Sequence, residues 1–235
     1  MAKLYVVTGT DTGVGKTVVT SSLLAALQAR ARAHGHAGGH VGLKPFETGC
    51  WRQDDQWVGE DSVLHARYSS DSSFPNGVYR FEPPVGPTVA ARQAGVVLTL
   101  EPVLALVERA RQQFEQVLLE GVGGLMVPLN DHETVLDLIR RLRPDGVLLV
   151  STNRLGMLSQ VLSAHYILRA EGLPLLGVVL TPGPEPESLA AQTNVEELRR
   201  YVSPVICCPR VEGEAARASA GEVLWQALEQ HGLRL

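Results

Sequence analysis

Ten residues near the start of the chain, TGTDTGVGKT at positions 8–17, have types and spacing suited to holding a polyphosphate. They follow a β-rich run, LYVVTG at 4–9, and open a stretch with helical patterning. Glycines at 13 and 15 let backbone N–H groups approach phosphate oxygens closely. A helix starting there adds the partial positive charge of its N-terminus. Lys16 is spaced to reach the β- and γ-phosphates, and the Thr17 hydroxyl to hold Mg²⁺. The pattern G-x-x-x-x-G-K-[ST] is met except at its first position, where Thr10 stands and Gly9 falls one residue early. The competing reading is a glycine-rich turn with a chance Lys-Thr. The strand before it and the helix after it argue against that.

Three further residues could serve phosphoryl transfer. Glu120 ends the apolar run QVLLEG at 116–121, ahead of Val122, Gly123 and Gly124. A carboxylate at the carboxyl end of a strand beside the phosphate loop can hold the metal, or it can cap the next turn. Asp61 opens DSVLHARY, where spacing leaves metal binding and simple N-capping equally open. Lys44 closes HVGLKP just before Pro45. A cation there can neutralise a phosphoryl group in flight, although a lone strand-end lysine is more often solvated.

These residues need a scaffold that brings strand ends together. Short apolar runs at 4–9, 40–45, 116–121, 146–151, 175–180 and 204–208 alternate with helical patterns. The helical patterns cover 17–32, 61–68, 101–114, 134–142, 157–171 and 189–201, with a last helix from about Gly221. Strands apolar throughout, alternating with helices, predict an α/β fold: a mostly parallel sheet with helices on both faces. Ligands of such sheets bind at the carboxyl ends of the strands, where the motifs fall. Residues 69–88, rich in Ser, Asp and Pro, read as an ordered loop near the site. With no linker or repeat, one domain over 1–235 is expected.

Composition narrows the partners. The chain has 235 residues, 45% hydrophobic and 20% charged, with a formal charge of −4. That balance offers no basic footprint for nucleic acid, and 5% aromatics give little stacking surface for single strands. No apolar run is long enough to cross a bilayer and no secretory signal opens the chain, so a cytoplasmic location is expected. Cys50, Cys207 and Cys208 make no disulfide framework and read as core thiols. His34, His36 and His40 fall in HGHAGGH, read as a solvated surface insertion rather than a metal site.

Taken in order, VTGTDTGVGKT (7–17), GLKPFETG (42–49), Glu60-Asp61, PVGP with Ala90 and Ala91, LLEGVGGLMVPL (118–129) and RLG (154–156) resemble the dethiobiotin synthetases, up to GVVL at 177–180. That family carries Thr where other phosphate loops carry Gly, as at Thr10. The resemblance implies an ATP- and Mg²⁺-dependent ligase acting on 7,8-diaminononanoate and CO₂. One amine takes up CO₂ as a carbamate, whose oxygen attacks the γ-phosphate to give a carbamic–phosphoric anhydride. The second amine then displaces phosphate and closes the ureido ring of dethiobiotin. A carbamate is already a nucleophile, so positioning and charge neutralisation suffice.

The resemblance also implies residue roles. Lys16 and Lys44 would flank the γ-phosphate and carbamate as the catalytic cations. Thr17, Asp61 and Glu120 would hold Mg²⁺. The nucleotide would lie along Thr12, Gly13, Val14, Gly15, Lys16, Thr17 and Val18, with Thr181, Pro209 and Val211 near its base. Thr12, Lys44, Thr48 and Gly123 would contact the substrate. Gly156, Met157, Leu158 and Ser159 would open a helix that receives its carboxylate, contributed in the family by the second subunit of a homodimer. Two positions depart from the family: Gln160 replaces a frequent His, and Thr181 replaces an Asn that reads adenine. A hydroxyl without an amide cannot pair two edges of a base, which leaves base selection open.

Rival readings fare less well on these residues. A partition- or septum-positioning switch ATPase shares the predicted sheet, but its loop carries a second lysine where this chain has Asp11. Such switches often end in a basic amphipathic helix, and EVLWQALEQHGLRL lacks that character. A cobyrinate-amidating ligase needs a glutamine-hydrolysing domain, for which the chain is too short. A non-enzymatic binding domain could lose Lys16, Lys44 or Glu120, and all three are present.

Overall fold

The computed structural model describes residues 2–34 and 39–231. β1 (Lys3–Gly9) leads through the phosphate loop into α1 (Lys16–His34), and β2 (His40–Leu43) follows. Then come β3 (Phe46–Thr48), the hairpin of β4 (Trp51–Gln53) and β5 (Gln56–Val58), and α2 (Glu60–Tyr68). β6 (Tyr79–Phe81), α3 (Pro87–Ala94) and α4 (Glu101–Gln113) lead to β7 (Gln116–Gly124) and α5 (Val135–Leu142). The rest alternates: β8 (Gly146–Thr152), α6 (Met157–Ala170), β9 (Leu175–Thr181), α7 (Leu189–Arg199), β10 (Val205–Cys207) and α8 (Gly213–Glu229).

Six strands form one sheet in the order β10-β9-β8-β1-β7-β2, every neighbouring pair parallel. Alternate residues of each strand face opposite sides, as the pleat requires. Leu4, Val6, Val117, Leu119, Val147 and Leu149 enter one apolar layer with residues of α4, α5 and α6. Tyr5, Val7, Leu118, Leu148 and Val150 enter the other, beneath α1 and α8. The parallel sheet with helices on both faces is therefore present as the patterning predicted. Its register puts Val7 beside Glu120, so the acid reaches the sheet edge next to the loop leaving β1.

The differences from the sequence reading have local causes. Residues 69–88 contain β6, which pairs in parallel with β3, and the segment ends inside α3. Strands of three residues show no periodicity to read. The last helix starts at Gly213, eight positions before the expected Gly221. Gly221 lies inside the helix, where α8 crosses α1 so closely that a Cβ would meet the Ser22 carbonyl. His40 is not in a solvated turn. It is buried at the start of β2, with Nε2 2.8 Å from the Tyr68 carbonyl and Nδ1 2.9 Å from the Ser70 hydroxyl. His34 closes α1 rather than lying in a turn, and residues 35–38, with His36, lie outside the described residues. Cys50 and Cys208 are buried, but Cys207 is exposed, because it ends the edge strand β10. No helix among the described residues is long and apolar enough to cross a membrane.

Candidate active site

The phosphate loop joins β1 to α1 at the carboxyl edge of the sheet. Gly13 (φ 74°) and Gly15 (φ 89°) take left-handed backbone conformations that side chains oppose. Position 10 is not among the left-handed residues, so Thr is tolerated there. Its hydroxyl donates to Ser151 Oγ at 3.0 Å and its amide to the Val150 carbonyl at 2.9 Å, tying the loop to β8. Lys16 Nζ folds back onto the Asp11 carbonyl at 2.9 Å. The Asp11 carboxylate accepts from the Thr12 amide at 2.7 Å, so an acid stabilises the turn where a switch ATPase would present its second cation.

Across from the loop, a buried charge cluster joins three elements. Lys44 Nζ lies 2.5 Å from Glu120 Oε1 and 2.7 Å from Asp61 Oδ2. The Thr17 hydroxyl donates to the same Glu120 oxygen at 2.9 Å. Burial works against charge on Lys44, but the Glu120 and Asp61 carboxylates outweigh it and hold the ammonium above the ordinary lysine range. Burial also works against the Glu120 anion, and Lys44, then His65, more than offset it and keep the carboxyl well below the usual range. His65 is fully buried one helical turn after Asp61, with Nε2 2.9 Å from Glu120 Oε2. That approach is off the line of a good hydrogen bond, and both atoms lack a regular partner. His65 is a residue the sequence reading missed. The signal was its i, i+4 spacing from Asp61, which puts both side chains on one helix face.

Asp61 does not cap its own helix. The N-cap is Gly59, which has no side-chain acceptor, and the amide of Asp61 donates instead to Glu47. The capping reading of Asp61 is thereby removed, and its carboxylate faces Lys44.

Lys16 behaves differently from Lys44. Burial lowers its pKa to about 8, and repulsion from Lys44 adds to this, against weaker support from Glu120, Asp61 and Asp11. A triphosphate beside it favours the ammonium, so the bound state holds more protons than the free state above that pH. ATP affinity is therefore expected to fall as pH rises past about 8, with uptake approaching one proton per ATP near pH ~9. Calorimetry in buffers of different ionisation enthalpy measures this uptake. Affinity flat across that range would contradict it.

These groups converge on one cavity of about 350 Å³. It is lined by Thr12, Gly13, Gly15, Lys16 and Thr17 of the loop, and by Lys44, Glu47, Thr48, Asp61, Glu120 and Gly123. Val122, Val127 and Pro87 give it an apolar side, and among the described residues no Ser, Cys or His lines it. A hydroxyl and two carboxylates are the hard oxygen donors Mg²⁺ prefers, and Thr17, Asp61 and Glu120 bring these donors to the one cavity. Among the described residues no cluster of three His, Cys, Asp or Glu could form a protein-only metal cage. Mg²⁺ held by one or two carboxylates commonly completes its shell with phosphate and water.

Residues 3–212 match a protein family described as an AAA domain. The chain is 36% identical over 209 residues to the ATP-dependent dethiobiotin synthetase BioD of Nitrosospira multiformis, spanning 89% of this chain and 86% of that one. It is 34% identical over 225 residues to the protein of the same name from Xanthomonas oryzae pv. oryzae, spanning 92% and 96%. The chain belongs to the dethiobiotin synthetase family. A solved structure of a ParA family ATPase from Chlorobium tepidum TLS is also similar, with a TM-score of 0.53 and 12% identity over 98% of this chain and 97% of that one. At that identity the likeness shows a shared fold alone.

Several residues that the dethiobiotin synthetase resemblance singled out lie off the cavity. Val14 is buried beneath the loop, and Val18 packs on the α1 side of the sheet. Thr181 donates its hydroxyl to the Val14 carbonyl at 2.9 Å, and its methyl fills the space beside Gly15. It braces the loop from β9, and that donor is already used. Pro209 and Val211 follow β10, two strands beyond β8, on the far side of the loop from Lys44. Gly156 is the left-handed N-cap of α6, and Ser159 is exposed in its first turn. Met157 is buried with its amide on the Arg154 carbonyl, which leaves the amides of Leu158 and Ser159 as that helix end's available donors. None of these four lines the cavity of its own chain.

Proposed function

We propose that this chain is an ATP- and Mg²⁺-dependent dethiobiotin synthetase that carboxylates 7,8-diaminononanoate and closes its ureido ring, releasing ADP and phosphate. The observation that carries the reading is the convergence of Lys16, Lys44, Thr17, Asp61 and Glu120 on one cavity with no nucleophilic Ser, Cys or His among the described residues lining it. Phosphoryl transfer to a carbamate needs no such nucleophile, because the substrate supplies the attacking oxygen.

In this reading the loop amides and Lys16 bind the β- and γ-phosphates. Lys44, at the end of β2, neutralises the carbamate and the phosphoryl group as charge shifts between them. Thr12 and Thr48 orient the carbamate and the free amine. Val122, Val127 and Pro87 offer the hydrocarbon chain an apolar wall. Thr17, Asp61 and Glu120 would hold Mg²⁺, which when bound would supply charge neutralisation for phosphoryl transfer. The helix end at Leu158 and Ser159 serves the substrate carboxylate of a partner subunit, which accounts for its position off the cavity of its own chain and makes the working unit a homodimer. We take residues 1–235 as one domain acting in the cytoplasm, without nucleic acid or membrane partners.

The test is phosphate release from Mg-ATP and bicarbonate with and without 7,8-diaminononanoate. Release that depends on the diamine, together with ring-closed product, supports the synthetase. Release indifferent to the diamine contradicts it and favours a switch ATPase.

A further inference from the structure

We propose that Glu47 is a positioning residue that caps α2 from outside the helix and so frees the Asp61 carboxylate for the metal side of the cavity. The first amides of any helix need acceptors. At α2 the N-cap is Gly59, in the extended conformation that suits a cap (φ −116°, ψ 145°) but without a side chain to act as one. Glu47 fills that role from β3. Its Oε1 accepts the Asp61 amide at 2.7 Å, and its Oε2 accepts the Ser62 amide at 3.2 Å and the Ser62 hydroxyl. A Cβ on Gly59 would run into the Glu47 carboxylate, so one residue occupies the place the other leaves empty.

The consequence falls on Asp61. Asp61 stands at the second position of the helix, where its short carboxylate can turn back to its own free amide. With that amide already bonded, Asp61 Oδ2 lies 2.7 Å from Lys44 instead. Glu47 is itself held in place. It sits opposite Arg80 in the β3–β6 pair. Arg80 donates to Asn76 Oδ1 at 2.9 Å, and Asn76 donates to the Ser62 carbonyl at 2.6 Å. The first turn of α2 is thus fastened to a small strand pair that also walls the cavity. Glu47 is a buried acid whose oxygens are bonded to amides and a hydroxyl, so it adds no third claim on Lys44.

This inference rests on the proposed binding of Mg²⁺ at Asp61, and its test separates the two. Mn²⁺ binding to the protein with a non-hydrolysable ATP analogue is measured by calorimetry in wild type, Asp61→Asn, Glu47→Ala, and Glu47→Ala combined with Gly59→Ser. The Ser gives α2 a cap of its own in the space Glu47 vacates. Glu47→Ala is expected to weaken Mn²⁺ binding about tenfold, as loss of an outer-shell partner does, with metal-free nucleotide affinity within about twofold. The added Ser is expected to recover most of that loss. Wild-type Mn²⁺ affinity in Glu47→Ala, beside a weakened Asp61→Asn, overturns this inference alone. So does a double variant that regains its melting temperature but not its Mn²⁺ affinity. Wild-type affinity in Asp61→Asn overturns the metal assignment itself. Should Glu47→Ala not fold, Glu47→Gln takes its place: the amide offers one acceptor and turns a donor toward an N–H, so weakened Mn²⁺ binding is expected and unchanged binding overturns the proposal.

Discussion

Lys44→Met is expected to lower turnover by about 10²–10³-fold and at the same time to tighten Mg²⁺ binding in the absence of nucleotide. Both effects follow from one position. Lys44 Nζ sits between Glu120 and Asp61. A divalent cation approaching those carboxylates must displace an ammonium that they hold. Met keeps the length and apolar stem but removes that competitor. It also removes the cation that would stabilise the phosphoryl group and carbamate. The variant is expected to lose about 3–5 kcal/mol of stability, since Glu120 is left buried without its main partner. Added Mg²⁺ should return part of this, because an ion that binds only the folded state stabilises it. Steady-state kinetics, Mg²⁺ titration and melting curves with and without the ion check the three parts. Turnover within about tenfold of wild type would remove Lys44 from the chemistry.

Glu120→Ala is expected to destabilise the fold more than Asp61→Ala does. The Glu120 side chain is fully buried and serves Lys44, Thr17 and His65, whereas that of Asp61 is 27% exposed and serves Lys44. Losing Glu120 leaves buried Lys44 with the more exposed Asp61 in place of its closer partner, and His65 without the carboxylate beside it, at about 3–5 kcal/mol. Losing Asp61 leaves Lys44 its closer partner, at about 1–2 kcal/mol. Urea unfolding measures both. The pH dependence carries a sign. The Glu120 carboxyl is held below its unfolded value, so its stabilisation is present above the ordinary glutamate range and is lost on acidification. The gap between wild type and Glu120→Ala therefore narrows as pH falls. Equal losses at the two positions, or a gap that widens in acid, would contradict this account of the cluster.

What could be read from the sequence follows from how each residue is held. Lys16, Thr17, Lys44 and Glu120 each sit where an apolar strand ends or a glycine-rich loop turns, and such signals are local. Asp61 was visible as a helix opening, but whether it caps or faces the cavity depends on Glu47, in a strand of three residues whose partner is 33 positions further on. The clue was negative: Gly59, at the cap position, offers no acceptor. His65 was hidden inside an ordinary helical pattern. Thr181 occupies its expected place at the end of β9, yet only the packing of that strand against the loop shows its hydroxyl turned to Val14. The last helix starts at Gly213, and Gly221 marks instead the close crossing with α1, a contact between elements about 200 positions apart that no local pattern shows.

The most direct test follows the carbon. Protein, Mg-ATP, 7,8-diaminononanoate and ¹³C-labelled bicarbonate are combined, and product and phosphate are measured together. The account predicts ¹³C in the ureido carbonyl of the ring, with one phosphate released per ring formed. Phosphate released without labelled ring would contradict it.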